Sequence, residues 1–197
     1  CVFESSQESD VEYAWFTALQ QAMKNNPQPQ SRYAQLATVG LDGAPRSRTL
    51  VFRGFQAATH SPLFVTDSRS EKISELARDD RCELVWYFAD SWEQFRLRGR
   101  MCMYSAARGD LAIRAAYWQQ LSDAVREQFY WPSPGEVLGS GQNGVSVIRP
   151  DPVEPPESFT LLALSVSAVD HLCLKPKQQR IFSDFAGDEW FCREVNP

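Results

Sequence analysis

The sequence predicts a mainly-β (α+β) fold, an antiparallel barrel with peripheral helices, on three observations. Stretches in which apolar residues alternate with polar ones outnumber stretches of helical period. Neighbouring strand candidates are joined by short turns rich in Gly, Asp and Pro. Helix and strand do not alternate regularly enough for a doubly wound sheet, so a Rossmann phosphate site is not expected, and the P-loop pattern Gly-x-x-x-x-Gly-Lys-Ser/Thr does not occur.

Tyr13, Phe16, Leu19 and Met23 recur at helical spacing and predict a helix over 10–24, ended by the prolines that follow. The period then becomes two. Strands are expected over 33–39 and 46–55, joined by the hairpin signal Gly40-Leu41-Asp42-Gly43-Ala44-Pro45, and over 61–66. Residues 67–79 return to a helical pattern, with Ser68 and Glu71 spaced as a capping box. Strands follow over 82–88 and 94–104. In the second, Phe95, Leu97, Met101 and Met103 share one face with Gly99, while Gln94, Arg96, Arg98 and Arg100 share the other. A helical insert, as one segment or two, is expected over about 108–130, stopped by Trp131-Pro132-Ser133-Pro134-Gly135. Strands over 159–172, 180–185 and 190–195 close the chain.

With 197 residues, 43% hydrophobic and 23% charged, the chain has material for one domain spanning 1–197. A net charge of −5 argues against nucleic acid. Five scattered cysteines and two histidines offer no clustered ligand set, so no metal is expected, and the unpaired thiols suit the cytoplasm. No apolar run is long enough for a bilayer and no secretion signal is visible, so no membrane partner is expected.

Two clusters could hold an anion. Arg46, Arg48 and Arg53 lie on one strand, and guanidinium matches phosphate oxygens. Arg53 has the opposite parity unless a bulge intervenes. The plainer reading, favoured on charge pattern alone, is a solvated basic edge. Thr66-Asp67-Ser68-Arg69-Ser70-Glu71-Lys72 joins a strand end to a helix start, where capping and anion binding are equally compatible with the pattern. Gln94 alone reads as a surface residue, and the Arg96, Arg98, Arg100 stripe as a solvated face. No catalytic triad suggests itself: His60 has no acid partner in sequence, His171 and Asp170 fall on opposite faces, and Glu83 and Glu93 form no convincing acid–base pair. A site without its own nucleophile or base suits cofactor chemistry.

Taken in order, these clusters resemble the pyridoxamine 5′-phosphate oxidase-like flavoproteins, FMN-binding split barrels, and most of all their cyanobacterial and plant branch. The resemblance runs from Ser31 to Pro197 and includes Trp131 to Gly135 and the ending Arg193-Glu194-Val195-Asn196-Pro197. The family's Arg-x-x-x-x-Lys strand reads Arg48-Thr49-Leu50-Val51-Phe52-Arg53. This implies that Arg48 grips the FMN phosphate, that the backbone of Thr49, Leu50 and Val51 borders the isoalloxazine ring, and that Arg53 takes the lysine's place beside cofactor and substrate. Phe64-Val65-Thr66 followed by Ser70-Glu71-Lys72 matches a second motif, implying ribityl or phosphate contacts from Val65, Thr66, Ser70 and Lys72. Glu71 stands where the family has arginine, with Arg69 the nearest substitute. Gln94 matches a ring-contacting glutamine, and Arg180 an arginine that reaches FMN from a second subunit. The resemblance therefore implies FMN as cofactor, a homodimer with FMN at its interface, and a small-molecule substrate.

The substrate half departs from the family. Tyr117 matches a tyrosine that holds substrate phosphate, but Leu121 and Val125 replace its two companions, Pro176 to Arg180 lacks the family's histidine, and Leu172 replaces a tryptophan. The resemblance thus implies an FMN-dependent oxidoreductase of unidentified substrate. Two alternatives stay open: a genuine pyridoxamine/pyridoxine 5′-phosphate oxidase with a pocket rearranged around Arg126, Lys175 or Lys177, and a non-enzymatic module for flavin or heme.

Overall fold

Eight antiparallel strands form a six-stranded barrel with a two-stranded extension in the computed structural model, which describes residues 14–109, 111–137 and 149–197. The strands are β1 (Tyr33–Val39), β2 (Pro45–Phe55), β3 (Pro62–Asp67), β4 (Arg81–Phe88), β5 (Glu93–Tyr104), β6 (Phe159–Cys173), β7 (Gln179–Ala186) and β8 (Glu189–Val195). The order β3-β2-β1-β4-β5-β6 closes on itself through a β3–β6 pairing, and β7 and β8 continue outward from β6. The barrel expected from period-two patterning is therefore present. The chain does carry one Gly-x-Gly-x-x-Gly, Gly139 to Gly144, outside the described residues. All strand pairings described are antiparallel.

β6 is where the barrel splits. Leu63↔Ala163 to Asp67↔Phe159 bind its first part to β3, and Ala168↔Asp184 to Cys173↔Gln179 bind its last part to β7. Between them the β5–β6 register shifts from Arg98↔Ala168 to Gly99↔Val166, leaving Ser167 as an extra residue. Only glycine fits opposite this bulge, since a Cβ on residue 99 would fall 1.9 Å from the Ser165 carbonyl oxygen.

The inward faces of the strands make the main core, in which Leu36, Leu84, Trp86, Phe95, Leu97 and Leu162 have no exposure. Helix α1 (Ala14–Asn25) lays Trp15, Phe16, Leu19 and Ala22 over one mouth of the barrel. The expected residues 10–13 of this helix lie outside the described residues. Its end is fixed by Asn26, whose amide donates to Ser91 Oγ at 2.9 Å and accepts from Asp90 N–H. Helix α2 (Glu71–Arg78) sits at the other mouth, between the β1–β2 hairpin and the end of β3. The cap of α2 is Ser70 and not the expected Ser68, whose hydroxyl instead donates to the Glu157 carbonyl. Helices α3 (Leu111–Gln119) and α4 (Asp123–Glu127), with a 3-10 turn over Gln128–Tyr130, cover the outer faces of β3 and β6. Here Trp118 and Phe129 pack on Leu63, Phe159 and Leu161. Among the described residues nothing covers the outer faces of β1, β2 and β4 in this way: Tyr33 and Val51, cross-strand partners, and Tyr87 are 45%, 38% and 48% exposed.

Candidate functional site

β2 turns Arg48 inward, in line with buried Leu50 and Phe52, at the mouth beside α2. Its guanidinium donates to Glu75 Oε2 at 2.6 Å and to the Thr38 hydroxyl, which itself donates to Glu75 Oε2 at 2.6 Å. Glu75 is 4% exposed, and Leu76 beside it is fully packed. A carboxylate so buried requires a cation, and Arg48 supplies it.

Close by, the first turn of α2 brings Lys72 back over the end of β3. Its ammonium donates to Thr66 Oγ1 at 3.0 Å and Ser70 Oγ at 2.9 Å. Both hydroxyls are neutral, so they solvate the charge without cancelling it. Burial first, and then the Arg48 charge, hold the Lys72 pKa below the ordinary lysine value, against the weaker pull of Glu75, Asp67 and Glu71. An ammonium met only by neutral hydroxyls, within reach of the Arg48 charge, makes a place for an anion.

The structure brings together four of the expected residues, Arg48, Thr66, Ser70 and Lys72. Leu50 points into the core, and Val65 packs under the helical insert, so either can border a ligand through its backbone only. Thr49 and Val51 face outward. At Arg53 the β2–β3 register skips, so the bulge considered for it is present. Its Nε is buried without a hydrogen-bond partner, and burial followed by the Arg32 charge lowers its pKa. Among the described residues nothing accepts a hydrogen bond from this nitrogen.

Gln94 and Arg180 do not join this group. They share one register row through Leu172, on β5, β6 and β7, and β5 stands opposite β2 in the six-stranded ring. Arg180 donates to both oxygens of Asp170 at 3.0 and 2.9 Å, which raises its pKa. Arg69 forks onto Asp67 at 2.9 and 2.6 Å and reaches the Trp131 carbonyl. The arginine stripe of β5 is met by acids, Arg96 by Glu83 and Asp170, and Arg100 by Asp80.

Sequence reasoning missed Glu75 and Thr38, which set Arg48, and Thr160, which pairs across from Thr66 with a buried, unpartnered hydroxyl. It also missed a pairing: His171 Nε2 lies 2.8 Å from Glu93 Oε2, and its ring stacks on Phe95 at 4.0 Å. Burial lowers the His171 pKa more than Glu93 raises it. Tyr117, Leu121 and Val125 pack together on the Trp118 cluster, and burial raises the tyrosine's pKa. Arg126 is spent on the Trp118 and Gln119 carbonyls and Asp123. Lys175 lies 3.6 Å above the Trp92 ring. No group of acids, cysteines and histidines among the described residues is placed to hold a metal, and none of the described helices is long and apolar enough to cross a membrane.

Residues 12–105 match the model of the pyridoxamine 5′-phosphate oxidase FMN-binding domain. The chain is 39% identical over 174 residues to pyridoxine/pyridoxamine 5′-phosphate oxidase 2 of Arabidopsis thaliana, covering 85% of this chain and 88% of that one. It is 33% identical over 112 residues to the pyridoxine/pyridoxamine 5′-phosphate oxidase of Thermosynechococcus vestitus, covering 57% and 50%. Among solved structures, a pyridoxamine 5′-phosphate oxidase-related, FMN-binding protein of Nostoc punctiforme superposes with a TM-score of 0.88 at 39% identity, covering 93% of this chain and 97% of that one. PhzG of Burkholderia lata shares the fold at a TM-score of 0.78 and 15% identity, covering 100% and 98%.

Proposed function

Because the chain belongs to the pyridoxamine 5′-phosphate oxidase FMN-binding family, we propose that it is an FMN-dependent oxidoreductase whose cofactor phosphate is held by Lys72, Ser70, Thr66 and Arg48. The observation that carries this is the half-buried Lys72 ammonium, solvated by two hydroxyls and facing another cation. Arg53, whose Nε has no partner among the described residues, lies on the strand whose backbone would border the ring in this reading. FMN, when bound, supplies the hydride acceptor, and the protein's part is to orient it and exclude water. Lys72 and Arg48 fix the phosphate end by charge-assisted hydrogen bonds, and Glu75 and Thr38 hold Arg48 in place. Titration with FMN and riboflavin tests this reading. FMN binds more tightly, and Lys72→Met removes most of the difference; equal affinities would refute the phosphate grip.

The site is completed, in this reading, by a second copy of the chain. Gln94 and Arg180 stand across the barrel from Arg48, and the uncovered outer face bearing Tyr33, Val51 and Tyr87 is available for pairing. Arg48→Ala and Arg180→Ala each weaken FMN binding, and mixed dimers of the two recover part of it by holding one intact site. No recovery on mixing would sink the shared site.

The Arabidopsis relative favours one further reading, oxidation of pyridoxine or pyridoxamine 5′-phosphate. Against it, Leu121 and Val125 are packed into an apolar cluster with Tyr117. Formation of pyridoxal 5′-phosphate by the flavin-loaded protein decides between this reading and another small-molecule substrate.

A further inference from the structure

We propose that Asp170 is a positioning residue, which with Phe182 holds the Arg180 guanidinium so that one edge stays free for the flavin of a second copy of the chain. The proposal rests on the shared-site reading above, in which Arg180 serves that second copy. Asp170 pairs across the β6–β7 ladder with Phe182, and Leu172, two residues on, pairs with Arg180, so Asp170 and Arg180 share one face of the sheet. Asp170 is 4% exposed, and a carboxylate so buried needs a cation against it. Two guanidinium groups approach it. Arg180 takes both oxygens, Nε donating to Oδ1 at 3.0 Å and Nη2 to Oδ2 at 2.9 Å. Arg96 stands 3.5 Å from Oδ2 and gives its own fork to Glu83, at 2.8 and 3.2 Å. Glu83, Arg96, Asp170 and Arg180 thus form a ladder of alternating charge across β4, β5, β6 and β7.

Two contacts of different kinds fix the Arg180 guanidinium. The fork onto Asp170 sets its plane and direction, since two parallel N–H donors must meet two oxygens at once. The Phe182 ring supports it, with Cζ of Arg180 over the ring at 5.1 Å from its centroid. The fork uses the Nε and Nη2 edge and leaves the Nη1 donors outside it, on a side chain that keeps 30% of its surface exposed. Guanidinium is planar and rigid, so holding one edge also aims the other. An arginine left to rotate would have to be ordered on binding, and that ordering weakens affinity.

The test measures the FMN affinity of the purified full chain and of mixed dimers. Arg180→Ala should weaken binding about tenfold and Asp170→Asn about fivefold, and the double variant should match Arg180→Ala within about twofold. A carboxylate that only stabilised the fold would lower affinity in the Arg180→Ala background as well. Mixing then locates the effect. Asp170→Asn mixed with Arg48→Ala should recover part of the binding, because one site keeps all its groups. Asp170→Asn mixed with Arg180→Ala should recover none, because each site then lacks a held Arg180. Phe182→Leu keeps the ion pair and removes the ring; it should show the same pattern with a smaller loss, and it carries the test if Asp170→Asn folds poorly. Additive losses in the double variant, or unchanged affinity in both Asp170→Asn and Phe182→Leu, overturn the positioning role while the shared site stands. No recovery when Arg48→Ala and Arg180→Ala are mixed overturns both.

Discussion

The two mouths of the barrel are closed in opposite ways. At one, α1 presses Trp15, Phe16, Leu19 and Ala22 against Phe55 and the aromatic interior, and closure is bought with hydrocarbon. At the other, α2 buries Glu75 against Arg48 and Thr38, and places Lys72 over two hydroxyls. Apolar burial stabilises without geometric demands. A buried ion pair gains little or nothing over a hydrocarbon of the same size. The charged mouth therefore gains little stability from its ion pair, and the apolar mouth is the one that holds the barrel shut.

Arg48→Ala should draw the largest difference between the two ends. It strands Glu75 as a buried, unpaired carboxylate, at a cost of about 3–5 kcal/mol in urea denaturation. Adding Glu75→Gln should return much of that stability while FMN affinity stays low, which separates the brace from the grip. At the apolar mouth, Leu19→Ala should cost about 2–5 kcal/mol by the same measurement and leave the FMN affinity of folded protein unchanged. A fall in affinity there would mean that the two ends are coupled. Lys72→Met should weaken FMN binding by about 1.5–3 kcal/mol, the worth of a charge-assisted hydrogen bond, yet leave the ligand-free chain as stable or more so. The ammonium is disfavoured in the ligand-free fold, and its removal takes that penalty away.

The smallest effect is in pH. The Lys72 pKa is depressed in the ligand-free protein, and a bound phosphate favours the charged form. FMN affinity should therefore be full below the depressed value and decline as pH rises through it, beneath the ordinary lysine pKa of 10.5. Riboflavin, lacking the phosphate, should show no such decline, and parallel titrations of the two read the difference.

What could be read in the sequence follows the range of the interaction. Alternation marked β5 well, since Phe95, Leu97 and Met101 are buried and Arg98 and Arg100 exposed, and strand bounds agree within a residue or so. That Arg48, Thr66, Ser70 and Lys72 belong together was legible through the chain's resemblance to known motifs. The electrostatics of this group were not. Arg69 is spent on Asp67 two residues away, a choice of rotamer that spacing does not reveal. Glu75 finds Arg48, and Glu93 finds His171, through sheet register and helix placement, both products of the closed barrel. The Ser68 cap failed because the strand end and Ser158 engage Ser68 first, its N–H donating to the Ser158 carbonyl at 2.7 Å.

The shared strand β6 has a consequence for how the chain is made. β3 leaves the ribosome long before its partner, since Leu63, Phe64 and Val65 must wait for Leu161, Leu162 and Ala163. Until then an apolar strand edge stands unpaired, the kind of edge that recruits foreign strands. Closing so long a loop is slow, so β6 docking is the expected rate-limiting step of folding. Ribosome-bound chains halted before Phe159 should accordingly be cut by protease within β3 and engage chaperones, and chains extended past Cys173 should not.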